Sequence, residues 1–185
     1  MTALWILIAV VALVVVSIIG IYNGLVRKRI LTQEAWSQID VQLKRRYDLI
    51  PNLVETVKGY AAHEKQTLER VIQARNQAMA AGGGVGEKAQ AENILSGALR
   101  QLFALSENYP DLKANQNFSQ LQEELASTEN RIAFARQHYN AAAAEYNNAR
   151  EKFPNNMLAG SFGFAKQEYF ELEEPLQRQT PKVEF

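Results

Sequence analysis

One unbroken apolar run near the start of the chain constrains everything that follows it. From Ala3 to Tyr22 the sequence reads ALWILIAVVALVVVSIIGIY, with Ser17 as its only strongly polar side chain. A helix rising about 1.5 Å per residue carries such a run across roughly the 30 Å hydrocarbon core of a bilayer. Trp5 and Tyr22 stand near its two ends, where amphipathic rings favour the headgroup layer, and Arg27, Lys28 and Arg29 follow at once on the C-terminal side. The positive-inside bias then predicts an uncleaved anchor over residues 1–26, with the span at about 3–22, the N-terminus outside and residues 27–185 in the cytoplasm. A cleaved signal peptide carries basic residues before its apolar core and a small-x-small site after it; Met1-Thr2-Ala3-Leu4 and Gly20-Ile21-Tyr22 provide neither. Few residues are left on the outer side, and the span holds no ionisable group, so neither an external ligand domain nor an ion path is expected.

Charge reinforces this polarity. The 20 basic and 20 acidic side chains cancel, and all of them lie from Arg27 onward. Residues 27–50 carry six basic against three acidic groups, whereas residues 154–185 carry three against five. A zero sum argues against a nucleic-acid partner, and the positive base places Arg27, Lys28 and Arg29 against anionic headgroups. The absence of cysteine excludes disulfides, thiolate metal sites and a cysteine nucleophile.

Beyond the anchor the pattern is helical throughout. Trp36, Ile39, Leu43, Tyr47, Ile50, Val54, Val57, Ala61, Leu68, Ile72 and Arg75 recur at steps of three, four or seven and predict one long amphipathic helix over 27–81. Pro51 falls inside it and is expected to kink it, leaving the Tyr47 carbonyl in need of a donor. Gly82-Gly83-Gly84-Val85-Gly86 reads as a linker, and a second helix over 87–109 follows, with Ile94, Leu95, Ala98, Leu99, Leu102 and Phe103 on one face. The third, over 117–153, opens with Asn117 three residues before Gln120, like a capping box. Its seam, Phe118, Leu121, Leu125, Thr128, Ile132, Ala135, Tyr139, Ala142, Tyr146, Ala149 and Phe153, repeats every 3.5 residues as in a coiled coil. That seam is too long for the second helix to cover, so its far end is expected to find a neighbour, bend or expose apolar surface. No strand pattern appears, and the fold class expected is all-α: a helical bundle over 27–165 behind the anchor, then an acidic tail over 166–185, exposed or partly disordered.

Catalytic motifs fail on their spacing. His63-Glu64-Lys65-Gln66-Thr67 places Thr67 where a zinc protease needs its second histidine. Gly82–Lys88 lacks the Gly-Lys-Ser/Thr ending of a phosphate-binding loop, and Ser119, Ser127 and Ser161 lie in no nucleophile-elbow context. No catalytic residue, metal, cofactor or small-molecule substrate is predicted. Two polar sets adjoin the packed stripes: Asp40, Arg46, Asp48, Asn52 and Glu55 around Pro51, and Glu129, Asn130, Arg136, Asn140 and Asn147 along the heptad seam. Interhelical pairing that fixes register is their expected role, with ligand or partner contact as the alternative. A second basic cluster, Lys44-Arg45-Arg46, reads as a solvated face.

The run from Ala35 to Val54 (AWSQIDVQLKRRYDLIPNLV), with Tyr60, His63-Glu64 and Arg75 after it, resembles the LemA family. The resemblance continues through Tyr109-Pro110-Asp111-Leu112-Lys113-Ala114-Asn115, through Glu129 to Asn140 (ENRIAFARQHYN), and in Tyr146-Asn147, Phe153-Pro154 and Phe162. Ala143 and Ala149 stand where the family usually has larger aliphatic residues and thin the last part of the third helix. The resemblance implies a bacterial single-span protein of the inner membrane with an antiparallel cytoplasmic bundle and no assigned catalytic activity; a magnetosome member of the family points to membrane organisation. The expected function is that of a non-enzymatic scaffold or adaptor acting through a membrane-protein partner or as a homo-oligomer. The competing readings are an enzyme or enzyme subunit built on the cluster near Pro51 and a lipid-headgroup binder.

Overall fold

The structure, a computed structural model, describes residues 1–171, and every regular element among them is helical. The helices are α1 (Thr2–Lys58), α2 (Lys65–Ala80), α3 (Val85–Ser106), α4 (Pro110–Lys113), α5 (Gln116–Glu151) and α6 (Asn155–Ser161). The all-α class expected from the sequence is therefore the class observed. Glu173, Glu174 and Pro175, with the rest of the acidic stretch over 172–185, lie outside the described residues.

The apolar run forms the first part of α1, and no residue of its most apolar window is buried by protein. It is the one helix among the described residues long and apolar enough to cross a membrane. Ser17 causes no conflict there, since its hydroxyl donates to the Leu13 carbonyl one turn back at 2.8 Å.

The single helix expected over 27–81 is two helices. It does not break at Pro51, which α1 passes through, but at Gly59–Glu64, where the amide N–H groups of Tyr60 and Ala61 both bond to the Val57 carbonyl and close the last turn of α1. Gly59 and Tyr60 are exposed while Ala61 turns inward and is buried. Val57, Ala61 and Leu68 keep their spacing across the turn, and the stripe departs from the expected one only beyond it. Leu68, Val71, Ala74 and Ala78 form the buried stripe of α2, and Ile72, expected inside, is exposed.

Smaller corrections follow local chemistry. The helix α3 starts at Val85 because Gly84, at φ 144°, takes a backbone conformation that a side chain would strain. It ends at Ser106, and Pro110 opens α4 at a position where its missing N–H costs nothing. The cap of α5 is Asn115, whose Oδ1 accepts the Phe118 amide at 3.0 Å, and not Asn117.

The described chain divides into two compact units. The first comprises Met1–Asp40 and Ala133–Tyr169. Leu25, Tyr146, Ala159 and Phe164 form its core, flanked by Ile21, Val26 and Ala149. Trp36 meets Tyr139 edge to face at 5.3 Å, and the Tyr22 ring meets Phe162 at 5.3 Å and Phe164 at 5.6 Å. Ala143 is fully buried, so the small side chains leave no open seam there. The far end of the heptad stripe thus finds its neighbour within the chain, except at Phe153, which is 79% exposed.

The second unit comprises Val41–Ile132 with Phe170 and Glu171 among the described residues. Leu43, Ile50, Leu53 and Val57 of α1, the α2 stripe, Leu95, Leu99 and Leu102 of α3, and Phe118, Leu125 and Ile132 of α5 make its core. Each of the larger of these side chains, the Leu, Ile, Val and Phe, stabilises by roughly 1.5–3 kcal/mol on burial. The short Ala81–Gly84 connection folds α3 back onto α2. The turn between α1 and α2 is fastened by two bonds: the Tyr109 hydroxyl donates to Glu64 at 3.1 Å, and Asn115 Nδ2 donates to the Tyr60 hydroxyl at 2.9 Å.

Candidate functional site

The densest chemistry lies inside the second unit. Leu43, Arg46, Ile50, Leu53 and Val57 follow one another at steps of three and four along α1, so the helix itself turns Arg46 inward. Arg46 is 1% exposed, and its guanidinium donates through Nη2 to Glu92 and through Nη1 to Glu129 and, at 3.0 Å, to Ser96. Its Nε finds no hydrogen-bond partner among the described residues. The other Glu92 oxygen accepts the Tyr47 hydroxyl. Lys88 is also buried: its Nζ donates to the Ala78 carbonyl at 2.7 Å and lies 5.4 Å from the centre of the Tyr47 ring. Two buried cations therefore stand with one buried carboxylate, Glu92, and one partly exposed carboxylate, Glu129.

Burial opposes the charge on Arg46, but the adjacent Glu129 and Glu92 carboxylates outweigh it and hold the guanidinium above its ordinary value. It stays charged at every pH at which the chain is folded. The Glu92 carboxylate has both oxygens committed and is almost wholly enclosed, so it holds α1 and α3 together and is closed to an external substrate.

One further contact meets an expectation. With Pro51 unable to donate, the Tyr47 carbonyl is bonded by Arg75 Nε at 2.7 Å. The donor comes from α2 and not from the cluster around Pro51. Of that cluster only Arg46 enters the network, while Asp48, Asn52 and Glu55 are exposed on the outer side of α1. Of the seam set, Glu129 reaches Arg46 and Asn130 is exposed. Asp40, exposed, and Arg136, Asn140 and Asn147 belong to the first unit. Glu92, Lys88 and Ser96 were not anticipated. The signal was present: Lys88, Glu92, Leu95, Leu99, Leu102 and Ser106 fall in one helical stripe, so the two charges share the phase of the apolar residues.

In the first unit Asn147 belongs to a row of side chains on α5 that clasps the extended segment 164–168. Asn147 Nδ2 donates to the Gln167 carbonyl and Oδ1 accepts the Gln167 amide, both at 2.9 Å. Tyr139 donates to the Glu168 carbonyl at 2.8 Å, Tyr146 to that of Ala165 at 2.9 Å and Arg150 Nε to that of Phe164 at 2.7 Å. This segment, whose residues 166–168 open the stretch expected to be partly disordered, is held at five bonds because α5 satisfies its main chain. Burial first, and the Glu168 charge second, push the Tyr139 hydroxyl up to about 12. Burial also raises Tyr146, against the pull of Arg29 and Arg150.

The residues foreseen at the membrane base lie in this unit too. Trp5 is exposed on the span and Tyr22 packs on the two phenylalanines. Lys28 pairs with Glu145 at 3.2 Å, and the Arg29 guanidinium lies 5.2 Å from the centre of the Phe164 ring. Arg27 is exposed. A shallow groove of about 240 Å³ runs beside the Lys28 pair, lined by Leu31, Glu34, Gln38, His138, Ala141 and Ala142. Among the described residues no three His, Asp or Glu side chains stand together as metal ligands.

Residues 35–185 match the sequence model of the LemA family. The matched range begins after the span and takes in the Arg46 network and the α5 clasp. Magnetosome proteins MamQ 2 and MamQ 1 of Paramagnetospirillum magneticum are each similar to this chain, 31% identical over 195 residues that cover 86% of it and 72% of the relative. Protein LemA of Metamycoplasma hominis is 30% identical over 145 residues, covering 76% of this chain and 64% of that protein.

Proposed function

The chain belongs to the LemA family, and from that membership we propose that it is a membrane-anchored helical scaffold or adaptor, without catalytic activity of its own. It binds further copies of itself or a membrane-protein partner at the cytoplasmic face of a bacterial inner membrane, with its N-terminus outside. The observation that carries this reading is where its chemistry is spent. In the second unit buried Arg46 is bonded to Glu92 and Glu129 and buried Lys88 to the Ala78 carbonyl, and in the first unit Tyr139, Tyr146, Asn147 and Arg150 of α5 bond to the chain's own backbone. Large apolar side chains also face outward in the first unit: Phe134 is 73% exposed, and Ile30 and Leu31 are exposed as well. Large apolar groups on an otherwise well-packed surface mark sites of protein contact. The groove lined by Leu31 and His138 is shallow and mixed in character, which suits a partner's side chain better than an enclosed small molecule. Relatives named as magnetosome proteins support a part in an assembly.

In-membrane photocrosslinking from a probe at Phe134, followed by mass spectrometry, tests the proposal. The expected result is a discrete adduct, with a second copy or one membrane protein, that is lost when Ile30 and Leu31 are changed to Ser. A chain that is strictly monomeric after mild extraction and crosslinks to nothing in native membranes overturns it.

A further inference from the structure

The span ends at Tyr22, and the first unit brings a second apolar feature to that same level. The Tyr22 ring lies 5.3 Å from Phe162 and 5.6 Å from Phe164, and Leu25, one turn further along α1, shares a core with Ala159 of α6. The corner formed by the end of α5 and by α6 is thereby pinned beside the point where α1 leaves the hydrocarbon. Three of its outward side chains are large and apolar, Phe153 79% exposed, Met157 67% and Phe162 47%, beside the exposed polar groups Glu151, Lys152 and Asn156. Phe153 and Met157 lie outside the core of the unit, and Phe162 touches it only through the Tyr22 ring. Arg27, Lys152 and the Arg29 guanidinium on the Phe164 ring add positive charge beside them.

We propose that this corner, through Phe153, Met157 and Phe162, inserts into the headgroup layer of the leaflet from which α1 emerges, giving the protein a second, monotopic membrane contact beside its span. The occupant is lipid because the patch is continuous with an apolar helix that is itself in lipid, and because aromatic and thioether side chains flanked by basic residues suit an anionic interface. A span alone fixes depth and leaves the chain free to rotate and rock. Two contacts on one unit fix its tilt. Phe134 provides the internal contrast: it is equally apolar and exposed, but lies 19 residues before Phe153 on α5, roughly 28 Å away along the helix axis, beyond reach of the headgroups.

The proposal rests on the reading of residues 3–22 as a membrane span, and one experiment separates the two. The chain has no cysteine, so Leu13→Cys, Phe134→Cys and Met157→Cys each carry one bimane label on the full-length protein in vesicles of three parts phosphatidylcholine to one part phosphatidylglycerol. Quenching by nitroxide-bearing lipid is expected at positions 13 and 157, at least twofold stronger at 157 than at 134, with 157 also shielded from aqueous iodide. Strong lipid quenching at 13 with equal, weak quenching at 157 and 134 overturns the second contact and leaves the span standing. Weak lipid quenching at 13 overturns the span itself and the proposal with it. A label at 157 that is shielded from both lipid and iodide assigns the corner to a protein neighbour and overturns the lipid assignment.

Discussion

Arg75 donates its Nε–H to the Tyr47 carbonyl at 2.7 Å and fills the place that Pro51 leaves empty in α1. A proline inside a helix removes the amide that would bond four residues back, so a buried carbonyl is left to find another donor. In this fold the donor is a cation from the next helix. The bond couples a backbone defect in α1 to the position of α2 and explains why α1 continues through Pro51.

Arg75→Met therefore costs about 1.5–3 kcal/mol, the range for a hydrogen bond from a charged group. In a Pro51→Ala background the restored amide supplies the missing donor, and the cost falls by about 1 kcal/mol or more. Urea unfolding of the four chains of this double-mutant cycle, followed by helical circular dichroism in detergent, reads the coupling. Equal costs in the two backgrounds contradict the account.

The two carboxylates on Arg46 are unequal. Glu92 is enclosed and Glu129 has 40% of its side chain exposed, so water can replace part of what Glu129 supplies. Glu92→Gln costs on the order of 3–5 kcal/mol, because it leaves a buried cation short of its partner; Glu129→Gln costs about 1 kcal/mol. Replacing Arg46, Glu92 and Glu129 together by Met recovers part of the loss, since the Arg46 charge goes with its partners, while Lys88 keeps its bond to the Ala78 carbonyl and the Tyr47 hydroxyl loses Glu92. The same unfolding assay ranks the three variants.

Asn147→Ala removes both bonds to Gln167 and costs about 1–2 kcal/mol locally. The expected result is faster tryptic cleavage after Lys166 with helix content unchanged. Cleavage at the wild-type rate places the hold on this segment elsewhere.

Tyr139 gives a pH dependence whose sign is fixed by linkage. Its hydroxyl is pushed up to about 12 in the folded chain, first by burial and second by the Glu168 charge, whereas an unfolded tyrosine ionises near 10. Above pH 10 the unfolded state therefore holds fewer protons than the folded one. Stability present below pH 10 is lost as pH rises toward 12, by on the order of 2 kcal/mol. Thermal unfolding between pH 8 and 12 is expected to show that decline, and Tyr139→Phe to reduce it, leaving the part that the raised Tyr146 hydroxyl contributes.

What could be read from the sequence depended on whether a feature left a periodic mark. The apolar run is written in composition and the long heptad stripe of α5 in spacing; the run begins the one helix among the described residues long and apolar enough to cross a membrane, and the stripe lies along α5 as expected. The turn at Gly59–Glu64 was hidden because Val57, Ala61 and Leu68 stay in step across it; a turn that preserves phase is invisible to periodicity. Arg46 and Glu129 were chosen for lying beside packed stripes, and they do meet. Glu92 was passed over because a charge is assumed to face water, although its phase placed it inside. The contacts of Asn147, Tyr146 and Tyr139 were not legible at all, since they end on main-chain atoms that every residue possesses.

That last property bears on how the molecule can change over evolutionary time. At Ala165, Gln167 and Glu168 the clasp grips peptide units and reads no side chain, so those positions are free to drift while the path of the chain is kept. The instructions for where this segment runs are stored some twenty residues upstream, in Tyr139, Tyr146, Asn147 and Arg150. Variation is expected to accumulate in the held segment and to be purged from the helix that holds it, the reverse of what a recognition motif written into the segment itself would produce.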